Sequence, residues 1–384
     1  MKRFGQGSGL NRRTFVLQSV TGVISAPQIL AGCSRAPTFA LPANRFFIFG
    51  EGDRRKFLYK RGTLLDLHSG ELVWHRPVNA ERYLASETAV EIETTDGWTR
   101  ISEDDKGVWI GKERIAWGAP INRPTFEPSP YAGRLRALHH EILVNLVNGE
   151  PLPNLFVYSK PWRRDAVMVA MCLAKTGNLD LLKPWVLNLQ TVFDRNAEVE
   201  EPDNLGQNLY LLGIMGAPRQ HPLVEKTLEE ALRFTRRGAI TGLTDGSEHT
   251  VYQTLWMKMG LKTMNLRDPY EVPFKFDHYG SLVWWFPQQP LPFPFNFDAV
   301  TAAHYPYLSW AEAHYWSSSP PPLPATDTFP QTWEAYASEA DYGKMEIVGS
   351  DWAKAQVSGP HSWHAAEAFL YLLQLGAATR KTNI

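Results

Sequence analysis

Short apolar runs separated by turn residues dominate residues 45–118: Phe46-Phe47-Ile48-Phe49, Lys56-Phe57-Leu58-Tyr59, Glu71-Leu72-Val73-Trp74, Ala89-Val90-Glu91-Ile92-Glu93 and Gly107-Val108-Trp109-Ile110. Their β-branched and aromatic content predicts strands, and the Gly, Asp, Ser and Asn residues between them predict tight turns. The block reads as a small antiparallel β-domain, either a lid on a larger domain or a docking module.

From Arg134 the apolar period becomes helical, with Leu135, Leu138, Ile142, Leu143 and Leu146 recurring at steps of three and four. Further helical patterns are expected over 165–175, 180–192, 204–212, 222–236, 247–264, 298–316, 332–340 and 361–375. Short loops between such runs imply antiparallel helical hairpins. The expected fold class is therefore mainly α, in a domain over 125–384 that follows the β block.

The N-terminal region has a different character. Asn11-Arg12-Arg13-Thr14-Phe15-Val16 precedes a moderately apolar stretch that ends in Leu30-Ala31-Gly32-Cys33. This resembles a twin-arginine export signal followed by a lipobox, although Asn11 stands where Ser or Thr is usual. The resemblance implies export of the folded chain and a lipid on Cys33, with residues 1–33 as signal and the small, proline-bearing residues 34–44 as a tether. The expected location is beyond the cytoplasmic membrane, anchored to a membrane in the periplasm or at the cell surface, with the inner and the outer membrane both open.

Charge narrows the partners. The 39 basic and 40 acidic residues of this 384-residue chain nearly cancel, so nothing suggests a nucleic-acid footprint. With Cys33 lipidated, Cys172 stands alone and the fold must hold without disulfides. The 14 Trp, 14 Tyr and 19 Phe are numerous, and clusters such as His304-Tyr305-Pro306-Tyr307-Leu308-Ser309-Trp310 mix rings with polar groups. Such mixtures suit stacking on sugar rings as well as core packing. Carbohydrate is the expected substrate, and nothing in the sequence fixes an oligomeric state.

The chemistry centres on Tyr158-Ser159-Lys160-Pro161-Trp162-Arg163-Arg164-Asp165, a loop that runs straight into an apolar helix. A carboxylate in a first helical turn is favoured by the helix dipole, and a neighbouring guanidinium donates in a fixed fork. The Trp-x-Arg-Asp entry resembles that of glucoamylase-like, six-hairpin glycosidases, which implies an (α/α) toroid with its active site at one mouth. By that resemblance Arg164 and Asp165 would grip a sugar and Trp162 would pack on it. The loop Glu198-Val199-Glu200-Glu201-Pro202-Asp203-Asn204-Leu205-Gly206-Gln207 is dense in carboxylates, whose mutual repulsion raises their pKa values. Glu201 or Asp203 is the candidate general acid, with Asn204 and Gln207 as hydroxyl binders.

Thr244-Asp245-Gly246-Ser247-Glu248-His249-Thr250-Val251-Tyr252 repeats the arrangement of a tight turn and polar groups at a helix start. For the base that activates water, Glu312 is the first choice and Glu248 the second. His249, Tyr252, His304, Tyr305, Trp310, His361 and Trp363 complete the candidate substrate site. His361 and His364 lie one turn apart but lack an obvious third ligand, so neither a metal nor another cofactor is expected. Two other readings compete with a glycoside hydrolase: a polysaccharide lyase that uses Tyr and His, and a non-catalytic envelope protein that binds a glycan or another protein.

Overall fold

The computed structural model describes residues 46–273, apart from 157, and 361–381. Nine strands fill the first part. Strands β1 (Phe47–Phe49), β2 (Phe57–Lys60), β3 (Thr63–Asp66) and β4 (Leu72–His75) form one antiparallel meander. Strands β5 (Ala80–Leu84), β6 (Ala89–Thr94), β7 (Gly97–Glu103), β8 (Val108–Ile110) and β9 (Glu113–Ala116) form a second. Alternation explains the burial: Val90 and Ile92 of β6 point into the core while Glu91 and Glu93 point outward. Phe46, Phe47, Phe57, Tyr59, Val90, Ile92, Ile101 and Val108 share one core, and Tyr59 donates to Glu81 across the two sheets at 2.8 Å.

Helix α1 (Ala132–Val144) joins this core to the helical part. Its Ala137 and Val144 pack on the sheets, whereas Leu135, Leu138, Ile142 and Leu143 face the helices. Then come α2 (Arg163–Thr176), the single turn α3 (Lys183–Leu187), α4 (Asp203–Ile214), α5 (Pro222–Phe234), α6 (Thr250–Thr263) and α7 (Ser362–Lys381). Helix α7 packs on α1 and α2, and α4 sits between α2 and α6. Three two-stranded ribbons punctuate the helices: β10–β11 (Leu146–Val147 with Glu150–Pro151), β12–β13 (Thr235–Arg236 with Ala239–Ile240) and β14–β15 (Leu243–Thr244 with Ser247–Glu248). Each turns on a residue followed by glycine, Asn148-Gly149, Arg237-Gly238 and Asp245-Gly246, with positive φ at both positions, as two-residue hairpin turns demand.

The expectation of a mainly α toroid is overturned. Seven α-helices occur among the described residues, beside five antiparallel sheets, and they do not make six hairpins. Backbone chemistry explains part of the difference. Where the pattern predicts a helix over 180–192, only the 5 residues Lys183–Leu187 are α-helical, with Pro184 in the first turn, where its missing N–H is tolerated. Helices α1 and α5 each lead into a strand ribbon rather than a simple turn to the next helix. The expected helices over 298–316 and 332–340 lie outside the described residues, and among those described no helix is long and apolar enough to cross a membrane.

Candidate functional site

Four helix starts carry the polar groups of interest: α2 at Arg163, α4 at Asp203, α6 at Thr250 and α7 at Ser362. Arg164, in the first turn of α2, is 1% exposed and is ringed by carboxylates from two separate loops. Its Nη2 donates to Glu201 Oε2 at 2.5 Å, and its Nη1 donates to Asp245 Oδ2 at 2.9 Å with Asp203 Oδ2 at 3.9 Å. The Trp162 ring lies against the same guanidinium, 4.7 Å from its centroid to Cζ.

The carboxylates are held in turn. Glu201 Oε1 accepts the Asp245 backbone N–H at 2.7 Å. Asp203 accepts from Gln207 Nε2 at 3.0 Å and from the Thr244 hydroxyl at 3.2 Å, and Gln207 also donates to the Tyr252 hydroxyl at 3.3 Å. Gln253 donates to Thr244 Oγ1 at 2.9 Å, closing a chain of polar groups from α4 through the β14–β15 turn to α6. Such a chain fixes each member's rotamer.

Charge balance sets the protonation. Three carboxylates face one guanidinium in a buried space, so retaining all three charges is unfavourable. Burial, opposed by Arg164 and reinforced by Asp203 and Asp245, pushes the Glu201 carboxyl up to about 7. Burial also raises Asp203, again against the pull of Arg164. A carboxyl that gains and loses a proton near neutrality is what general acid–base chemistry needs.

The remaining candidates fall into separate places. Asp165 Oδ1 lies 3.9 Å from His361 Nδ1, and Tyr158 sets its ring edge-on to both Trp162 and His361, with centroids 6.0 Å apart in each case. Asn204 is buried and accepts the Asp194 N–H at 3.0 Å, which shapes the acidic loop. His249 is buried at the position before α6, and Tyr252 packs edge-on to Trp256 in the helical core, where Trp363 also lies. Glu248, the second choice of base, is exposed and accepts from the Thr250 hydroxyl at 2.6 Å. Glu312, His304, Tyr305, Trp310 and Cys33 lie outside the described residues.

Asp245 is the member that the sequence pattern hides. Asp-Gly reads as a turn, and it is one, with Asp245 at φ 51°. The same turn aims its carboxylate and its N–H at opposite partners, Arg164 and Glu201.

A second buried cluster lies between the sheets and α1. Glu51, Glu103 and His140 bring donor atoms within 4.8 Å of one another. Glu103 already accepts from Gly50 N, Glu51 N and Arg54 Nη1 at 2.7–3.0 Å, and Glu51 Oε1 meets Arg123 at 3.2 Å and His140 at 3.0 Å. His140 also meets Ile48 O at 2.9 Å, and Lys56 donates to Gly52 O at 2.6 Å. With Arg54 and Arg123 paired to these carboxylates, a divalent ion would enter beside two guanidinium groups. The cluster fits a charge network that ties the sheets to α1 rather than a metal site.

The chain matches no protein-family model, no curated protein and no solved structure. Together with the absence of a six-hairpin toroid among the described helices, this overturns the resemblance to glucoamylase-like glycosidases suggested by Trp162-Arg163-Arg164-Asp165. Nothing in the described structure or the comparisons supports the twin-arginine lipoprotein signal either, and its residues 1–33 lie outside the described part.

Proposed function

We propose that the Arg164 cluster acts on a saccharide and hydrolyses a glycosidic bond by carboxylate acid–base catalysis, with Glu201 as the proton-exchanging group. The observation that carries this reading is the meeting of Glu201, Asp203 and Asp245 on one buried guanidinium, an arrangement that keeps a proton on the carboxyl set near neutral pH. The reading rests on the chemistry of these residues and on no family. Arg164 holds the Glu201 carboxylate in place, the Asp245 N–H fixes its other oxygen, and Trp162 supplies a flat apolar face at the edge of the cluster. Hydrolysis delivers the Glu201 proton to the leaving oxygen while water adds to the anomeric carbon and gives up one of its protons to a second carboxylate.

Export and tethering through Cys33 belong to this reading on the strength of residues 1–33 alone. Replacing Cys33 with Ala is expected to move the protein from the membrane fraction to the soluble one; an unchanged distribution rejects the tether.

The activity is tested by incubating the purified protein with neutral and uronic-acid glycans while following new reducing ends and the absorbance of unsaturated products. Reducing ends that disappear in a folded Glu201→Gln variant support hydrolysis. Absorbance would mark a lyase instead, and silence over the panel would reject catalysis on glycans.

A further inference from the structure

The outer face of the five-stranded sheet carries an open hollow away from the Arg164 cluster. Register places Arg82 opposite Glu91 and Glu91 opposite Arg100, so the three form a row across β5, β6 and β7 on the face away from Val90, Ile92 and Ile101. On the same face Trp98, paired with Glu93, is 50% exposed, and the Arg82 guanidinium lies 4.8 Å from its ring centroid. Arg82, Glu91, Trp98, Thr99 and Arg100 line an open hollow of about 320 Å³.

With Arg82 against its ring, Trp98 is still half exposed and offers an apolar surface to a partner. The charges around it specify which kind. Arg82 pairs with Glu91 at 3.8 Å, and Arg100 pairs with Glu91 at 3.3 Å and with Glu87 at 2.7 Å. Glu87 and Glu91 therefore balance the two guanidinium groups, and Glu93 adds a further carboxylate beside Trp98, so an anionic polymer meets no positive field. A purely apolar partner would strip water from guanidinium and carboxylate groups without replacing their hydrogen bonds. A neutral sugar ring satisfies both demands, with C–H groups on the indole and hydroxyls on Glu91, Arg82 and Arg100.

We propose that this hollow binds an uncharged saccharide chain, at a site distinct from the Arg164 cluster. That the bound chain is also the substrate rests on the function proposed above; that the sheet face binds it does not.

The test is native gel electrophoresis of the full chain through gels containing soluble mixed-linkage glucan, xylan, galactomannan or starch, with polygalacturonate as the anionic control. One of the neutral polymers is expected to retard wild type and Glu201→Gln equally, and Trp98→Ala is expected to lose affinity for it by about tenfold. Arg82→Gln should weaken retardation in the same gel, which keeps the inference testable if Trp98→Ala is unstable. Normal retardation of both sheet variants, retardation by polygalacturonate alone, or none by any neutral polymer would overturn the proposal. Retardation without hydrolysis would leave this site standing and remove the catalytic reading; hydrolysis without retardation would do the reverse.

Discussion

Arg164 and Glu201 meet at 2.5 Å between Nη2 and Oε2, with each side chain 1% exposed. A buried guanidinium is tolerated only where acceptors replace its water, and here Glu201 and Asp245 supply them. Arg164→Leu removes the single cation shared by three buried carboxylates. The expected loss is about 3–5 kcal/mol of unfolding free energy, read from the urea midpoint. Adding Glu201→Gln and Asp245→Asn should recover part of it, because neutral amides need no counter-charge; no recovery would mean that the guanidinium acts by packing alone.

The Glu201 proton also leaves a signature in stability. An unfolded Glu releases its proton near the ordinary value of 4.5, whereas the folded carboxyl holds it to about 7. Between those limits the folded state binds more protons than the unfolded one, so stability falls as pH rises through the window and levels above it. The share due to Glu201 is on the order of 3 kcal/mol. Urea titrations at pH 5, 6, 7 and 8 should show that decline in wild type and a flatter profile in Glu201→Gln; parallel profiles would reject a raised carboxyl.

Local pattern made some of this legible and hid the rest. The alternation at Ala89–Glu93 falls in β6, and the period beginning near Arg134 falls in α1, because both signals come from which side chains meet water. Residues 180–192 carry a helical period too, yet only Lys183–Leu187 is helical. Arg164, Glu201 and Asp203 stand out in the sequence as charges beside helix starts. Asp245 does not, since its role depends on a turn bringing it across to a helix that lies 81 positions earlier in the chain. The Trp-x-Arg-Asp motif, the rhythm of helical runs and the aromatic loops constrain local structure, not the number of helices or whether they close into a toroid.

Lys56 shifts stability in the opposite direction and in another pH window. Burial, only partly offset by Glu103 and Glu51, pushes its ammonium down from 10.5 to about 7. Between those values the unfolded chain binds the extra proton, so stability rises as pH climbs from about 7 to 10.5. Lys56→Met should flatten that rise while leaving the slope below pH 7 in place. Thermal melts at pH 7, 8 and 9 check this: an equal rise in the variant would mean that another group is titrating.

The crossing of α4 and α6 is the feature most sensitive to a single methyl group. A Cβ on Gly206 would sit 2.1 Å from the Trp256 carbonyl carbon and 2.2 Å from Met257 N, and one on Gly260 would sit 2.4 Å from Gly206 O. Backbone cannot yield as a flexible side chain does, so the helices would have to separate. That separation would also pull Gln207 from Tyr252, and Asp203 from the Thr244 turn that precedes α6. Gly206→Ala is therefore expected to cost about 3 kcal/mol or more, with Gly260→Ala close behind. Gly213→Ala, whose Cβ would meet chiefly the Thr263 methyl at 2.7 Å, should cost less. Urea midpoints of the three variants give the order; a Gly206→Ala protein as stable as wild type would show that the helices have room to move and that the site does not depend on their close approach.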